Sequence, residues 1–158
     1  MKEGYFNSPI GIIKISYGEK INKIELVKYG FEKSEEDELF TLFKNQILEY
    51  LSGKRKTFDR IELLDIKGTN FEISVWKALL TIPYGKTRSY KDIAKLINKP
   101  KATRAVGNTI GKNPFFIIIP CHRVIKSDGN LGGFAYGSEV KRNLLKIEGF
   151  ENKNKSIK

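Results

Sequence analysis

Ser89-Tyr90-Lys91-Asp92-Ile93-Ala94-Lys95-Leu96-Ile97-Asn98-Lys99-Pro100-Lys101-Ala102-Thr103-Arg104-Ala105-Val106-Gly107-Asn108-Thr109-Ile110 decides how the second half of the chain folds. Ser89 with an acid three residues on is a capping-box pattern, and the short helix it opens carries Ile93, Ala94 and Ile97 inward. Asn98-Lys99-Pro100 breaks that helix, because proline lacks a donor and restricts the residue before it. A second helix is predicted from about Lys101 to Ile110. Two short helices around a tight turn, the second studded with small and basic residues, resemble a helix-turn-helix. Ala102, Ala105 and Gly107 would let that helix approach a nucleic-acid groove closely, with Thr103 beside them and Arg104 projecting as a long probe. The same small residues would equally serve close helix packing.

Charge points the same way. The chain carries +11, and the two halves share it unequally. Residues 1–67 hold 12 Lys and Arg against 12 Asp and Glu, whereas residues 68–158 hold 17 against 6. A basic domain joined to a neutral one suits a polyanion partner, although lysine richness can also be a solubility habit.

Downstream lies Asn113-Pro114-Phe115-Phe116-Ile117-Ile118-Ile119-Pro120-Cys121-His122-Arg123-Val124, an apolar run fenced by two prolines. It delivers the only cysteine and the only histidine side by side. A thiol held rigidly beside an imidazole and an arginine has the ingredients of an activated nucleophile. The alternative is that Cys121 is a small buried hydrophobe. One cysteine excludes an internal disulfide, and one Cys with one His cannot build a conventional zinc site. No apolar run is long enough to span a bilayer, and the N-terminus lacks a signal-peptide layout, so a cytoplasmic or nucleoid location with a reduced thiol is expected. After the cysteine, Ser127-Asp128-Gly129-Asn130 reads as a turn and Leu131-Gly132-Gly133-Phe134-Ala135-Tyr136-Gly137 as a glycine-rich loop. Ser138 is expected to cap a final helix with Val140, Leu144, Leu145 and Ile147 inward and Gly149 at its end. Glu148 stands where the helix macrodipole disfavours a carboxylate, which points to another task such as orienting an imidazole.

Working back, Thr69 or Asn70 can cap a helix whose Phe71, Val75, Trp76, Leu79 and Leu80 face inward. Residues 5–15 and 21–29 read as a hairpin or the start of a small antiparallel sheet. Ser34 is expected to cap a helix carrying Leu39, Phe40, Phe43, Ile47, Leu48 and Leu51, closed by Gly53. The tail from Asn152 is polar and basic, and disorder is expected there. Nothing in residues 1–67 points to chemistry. The expected fold is α+β: a small N-terminal domain with an antiparallel sheet and helix (1–67), then a mostly helical, winged-helix-like C-terminal domain with the helix-turn-helix (68–158).

Phe71, Val75-Trp76, Leu79, Ile82-Pro83-Tyr84-Gly85, Ser89-Tyr90, Arg104-Ala105-Val106-Gly107, Asn113-Pro114 and Pro120-Cys121-His122-Arg123-Val124 stand in the order and spacing of the O6-alkylguanine-DNA alkyltransferases. The resemblance is dense over 69–149 and loose over 1–67, where Ser8-Pro9-Ile10-Gly11 looks like the family's opening strand. It implies a single-turnover repair protein that binds double-stranded DNA as a monomer, from the minor-groove side, and rotates the damaged guanine into a pocket. By that resemblance Cys121 accepts the alkyl group, His122 is its base through a water, Glu148 orients His122, and Asn113 supports the cysteine turn. Tyr90 would drive rotation and hydrogen-bond the flipped base; Arg104 would fill the vacated space. Ala102, Thr103, Ala105 and Gly107 would line the DNA, and backbone around Cys121, Val124 and Ala135 would read the guanine edge. Tyr136 stands where the family most often has glycine. No cofactor is implied, and residues 1–67 lack the ligands of zinc-bearing members. Competing readings are a lesion sensor without repair, a transcription regulator, and a cysteine hydrolase; none uses both the helix pair and the Cys121-His122 pair.

Overall fold

The computed structural model describes residues 1–30 and 37–150. The chain divides into two units, one of residues 1–66 with Pro114–Ile118, the other of residues 67–113 and 119 onward.

The first unit holds a three-stranded antiparallel sheet in the order β1 (Lys2–Ser8), β2 (Gly11–Tyr17), β3 (Ile21–Val27). Ser8 pairs with Gly11, leaving Pro9-Ile10 as a two-residue turn. The expectation that Ser8-Pro9-Ile10-Gly11 forms a strand is therefore wrong. Pro9 has no N–H for a ladder, and Gly11 takes a φ of +129° that a side chain would resist. Ser8 Oγ locks the turn by donating to the Gly11 carbonyl at 2.6 Å. Alternation places Phe6, Ile13, Ile15 and Ile24 on the buried face. Against it lies α1 (Glu38–Leu51), which contributes Phe40, Phe43, Ile47 and Tyr50. Gly4 makes that approach possible, since a Cβ there would overlap the Phe40 ring. Ser34, read as the cap of this helix, lies outside the described residues, as does the tail from Asn152. Asp37 occupies the N-cap position without capping, because its carboxylate is taken by Tyr17 Oη at 2.5 Å and Lys2 Nζ at 3.2 Å.

Pro114–Ile118 was read as part of the second domain, yet it folds with the first unit. Ile24 N–H donates to the Pro114 carbonyl (2.9 Å) and Phe116 N–H to the Ile24 carbonyl (3.0 Å), so this segment bridges in parallel beside β3. Its apolar side chains need a host, and the sheet supplies one.

The second unit is helical: α2 (Asn70–Leu79), α3 (Tyr90–Leu96), α4 (Thr103–Ile110) and α5 (Ser138–Ile147). Thr69 caps α2 and Ser89 caps α3, each with its full reciprocal box through Glu72 and Asp92. Val75, Leu79, Ile93, Ala94, Val106 and Ile110 are buried where α2, α3 and α4 pack, each large side chain stabilising by about 1.5–3 kcal/mol. Trp76 Nε1 donates to the Thr109 carbonyl at 3.1 Å, fixing α4 on α2. The second helix of the pair starts at Thr103 rather than Lys101, because a turn closes first from Ala102 N–H to the Lys99 carbonyl. Ser138 is not the cap of α5; Gly137, at φ +96°, holds that position. The inward stripe of α5 also differs from expectation. Lys141, Leu144, Leu145 and Glu148 are buried, while Val140 and Ile147 are only half-buried. Gly149 at φ +83° ends the helix, with Phe150 N–H reaching back to Leu145 and Gly149 N–H to Lys146. That cap fixes where Glu148 points. Among the described residues no helix is long and apolar enough to cross a membrane.

Candidate active site

Two short elements bring the helix pair and the cysteine together. β4 (Arg88–Ser89) pairs in parallel with β5 (Val124–Ile125), Arg88 opposite Val124 and Ser89 opposite Ile125. The start of α3 is thereby tied to the strand that follows the cysteine. Cys121–Arg123 forms one 3₁₀ turn, entered through Pro120 at φ −81°, ψ 65°, with Cys121 N–H on the Ile119 carbonyl at 2.8 Å.

Asn113, three residues past the end of α4, secures this turn. Its Nδ2 donates to the Ile119 carbonyl at 2.8 Å, and its side chain also bonds the Cys121 sulfur. Cys121 opens onto a cavity of about 400 Å³ whose walls include Tyr90, Gly107, Asn113, Phe134, Ala135 and Tyr136. A neighbouring surface cavity of about 670 Å³ runs past Tyr90, Thr103 and Gly107 to Lys91 and Lys126. Tyr90 stands at the border of both. Gly132, at φ +78°, gives it room: a Cβ there would lie 3.0 Å from the Tyr90 hydroxyl.

Of the residues singled out in the sequence, Cys121, Asn113, Tyr90, Gly107, Ala135 and Tyr136 share the first cavity. Thr103 lines only the second, and Arg104 and Ala105 are exposed on α4. Val124 is fully buried in the β4–β5 pairing and does not line the cysteine cavity. His122 and Glu148 lie behind the thiol, both side chains wholly buried.

Glu148 is the hub of that buried layer. His122 donates Nε2–H to it at 2.7 Å, the tautomer set by the carboxylate. Arg123 donates Nε at 2.8 Å and Nη2 at 3.0 Å, and the Gly85 N–H donates at 2.8 Å. Arg123 Nη1 continues to the Ile82 carbonyl at 2.7 Å, while its guanidinium lies 5.7 Å from the Tyr84 ring. A carboxylate at a helix C-terminus is thus compensated by a buried cation. The sequence offers Arg123 only as a cation beside the thiol; its hydrogen bonds go instead to Glu148 and the Ile82 carbonyl.

Electrostatics set the resting state. Burial pushes the Cys121 thiol up to about 11, against the opposing pull of Asn113 and Lys141. Burial lowers His122, with Glu148 pulling back and Arg123 and Lys141 adding to the lowering. The site therefore rests as a thiol beside a neutral imidazole at neutral pH. Burial, then the neighbouring Cys121, raises the Tyr90 phenol, so it keeps its proton and can donate it. Lys141 was missed altogether. It is fully buried, and burial draws it down to about 8, with Cys121 pulling it back up.

Comparison with known proteins places this arrangement. Residues 70–150 match the family model described as "6-O-methylguanine DNA methyltransferase, DNA binding domain", and residues 1–64 match its "ribonuclease-like domain". The chain is 46% identical over 148 residues to the methylated-DNA–protein-cysteine methyltransferase of Methanosarcina barkeri, covering 89% of this chain and 92% of that one. It is 43% identical to the Mycobacterium tuberculosis protein of the same name, at 90% and 88% coverage. Among solved structures it resembles Mycobacterium tuberculosis OGT in complex with DNA, with TM-score 0.83, 40% identity and coverage of 93% and 92%. The O6-methylguanine-DNA methyltransferase of Pyrococcus kodakaraensis matches with TM-score 0.67 at 25% identity, covering 94% and 98%. Fold and site define a protein with a DNA binding domain and one buried thiol facing a cavity. Within that class, the chain belongs to the 6-O-methylguanine DNA methyltransferase family, whose members are the methylated-DNA–protein-cysteine methyltransferases.

Proposed function

We propose that the chain repairs O6-alkylguanine in double-stranded DNA by moving the alkyl group irreversibly to Cys121. The observation that carries this reading is a thiol set in a cavity of about 400 Å³, room for one base, on the unit that holds the helix-turn-helix. An exposed Arg104, a first turn of α4 without an acid, and the lysines of the neighbouring groove suit a phosphate backbone. Extruding a mispaired lesion costs less than extruding a well-paired base, which supplies part of the selectivity.

The atoms balance without a co-reactant. Cys121 loses its proton to His122 through a water, and the thiolate attacks the alkyl carbon. A sulfur–carbon bond forms as the carbon–O6 bond breaks, its electron pair going to guanine. Tyr90 hydrogen-bonds the departing base, and one proton ends on guanine in place of the alkyl group. A soft thiolate suits displacement at saturated carbon better than a hydroxyl. The thioether product is beyond thiol exchange, so one chain repairs one lesion. Glu148 keeps His122 in the tautomer that leaves the other ring nitrogen to accept.

Incubation with a duplex carrying O6-methylguanine should replace one hydrogen by one methyl per chain, mapped to Cys121. No mass gain, or gain elsewhere, would refute the proposal. We expect the protein to act as a monomer on DNA, and O4-alkylthymine is a second lesion to assay beside it.

Two further outcomes bear on its parts. Arg104→Ala should slow duplex repair by about 10- to 100-fold, the few kcal/mol of holding an extrahelical base. It should leave transfer from free O6-methylguanine within about twofold, because free base needs no extrusion. An equal loss on both substrates would remove the finger role. Tyr136 packs edge-on against Phe134, ring centroids 6.0 Å apart, and lines the cavity. Tyr136→Gly should raise the rate with O6-benzylguanine about tenfold while changing O6-methylguanine little. If benzyl transfer is unmoved, Tyr136 does not set pocket width.

A further inference from the structure

We infer that Lys141 is a positioning residue for the transfer: its buried ammonium is the fixed cation against which the Cys121 thiolate forms, and it straps down the loop that closes the cavity. The inference rests on the function proposed above. Lys141 sits on the buried stripe of α5, and its Nζ donates to the Leu131 carbonyl at 2.5 Å and the Gly133 carbonyl at 3.2 Å. The same nitrogen lies 5.8 Å from the centroid of the Tyr90 ring and 5.9 Å from that of Phe134. Both rings wall the cavity onto which Cys121 opens.

No carboxylate pairs with Lys141 among the described residues. A buried ammonium without an anion is costly, and two carbonyls with two ring faces recover only part of that cost. An apolar side chain could fill a merely structural position at less expense. The titratable groups that face Lys141 are Cys121 and His122 from the 3₁₀ turn and Tyr90 from α3. Tyr90 is raised and stays neutral, and the Lys141 charge lowers His122 further. Cys121 alone can supply the missing anion. The charge of Lys141 lowers Cys121, and the charge of Cys121 raises Lys141, against the burial that pushes both toward neutrality. Lys141 therefore favours thiolate while disfavouring imidazolium. The thiol proton passes through His122 without resting there, and Lys141 keeps its own three protons throughout.

The test needs no DNA, so it stands or falls separately from the repair assay. Labelling of the single cysteine by iodoacetamide is followed against pH in the unmodified chain, Lys141→Met and Lys141→Arg. Lys141→Met should slow labelling roughly tenfold at pH 7.5, where Lys141 is still mostly protonated, with the high-pH plateau retained. Lys141→Arg should restore the rate at pH 7.5. A simple strap, once lost, would open the cavity and speed labelling at pH 7.5 as the thiol nears its free value, or slow labelling alike at every pH, plateau included; either result overturns the inference. Should the methionine variant fail to fold, the unmodified chain decides. Its labelling rate should climb with pH, flatten where Lys141 loses its proton at about pH 8, and climb again as thiolate forms without the cation. An unbroken climb through that range refutes the inference.

Discussion

Cys121→Ser is expected to yield a protein that binds duplex DNA and transfers nothing. Serine is close in shape, and Asn113 can hydrogen-bond its hydroxyl as it does the thiol, so the 3₁₀ turn and the helix pair should survive. The chemistry does not survive. A hydroxyl is far harder to ionise than a thiol, is a poor nucleophile toward saturated carbon, and sits in a site where burial already disfavours the anion. Loss of a nucleophile of this kind costs on the order of 10⁴-fold or more. Single-turnover assays with an O6-methylguanine duplex should show no methylated protein, while gel-shift affinity stays close to that of the unmodified chain. Stoichiometric methylation at any other residue in this variant would mean that the acceptor has been misplaced.

Glu148→Gln should combine a stability loss with a rate loss. The carboxylate receives hydrogen bonds from His122, from two nitrogens of Arg123 and from the Gly85 backbone in a region closed to solvent. Glutamine can still accept from His122, but it leaves the Arg123 guanidinium without a counter-charge. Removing one partner of a buried pair costs about 3–5 kcal/mol, a large share of what holds a domain of this size. Urea unfolding should show a lower midpoint with an unchanged slope. The rate effect has its own sign. Glu148 pulls the His122 pKa upward, so losing its charge lets burial and Arg123 lower it further. Imidazole then takes the thiol proton less readily, and methyl transfer at neutral pH should fall about 100-fold. A variant as stable and as fast as the original would show that the hub is ornamental.

Much of this was legible in the sequence because local chemistry and tertiary packing agree. The reciprocal boxes at Thr69 and Ser89 are local devices, and both form as the residue types dictate. The pairing of Cys121 with Asn113, Tyr90, Ala135 and Tyr136 followed from motif spacing in a known family. Where the reading failed, long-range packing overrode local preference. Ser138 is a better cap than glycine, yet the chain needs a positive φ at Gly137 to turn out of the loop, so the cap moves by one residue. Proline between Ser8 and Ile10 was absorbed into a strand when it marked a hairpin turn. Lys141 went unread because a lysine on a helix is presumed solvated. A stricter count of the α5 stripe finds it: positions 141, 144, 145 and 148 repeat at helical spacing, and two of the four are charged. A charge at each end of an apolar stripe is a signal of buried chemistry, and here it marks both ends of the site.

The excursion of residues 114–118 into the other unit's sheet constrains how this protein can be taken apart. A fragment beginning near residue 68 would carry Phe115, Phe116, Ile117 and Ile118 with no strand edge to receive them, and a fragment ending near residue 67 would leave the β3 backbone unsatisfied at Ile24. The apolar pentapeptide would become a sticky flag on the first and a missing splint on the second. Gene fusions and split reporters should therefore leave the apparent junction near residue 67 intact, because residues 1–66 and 114–118 form one unit.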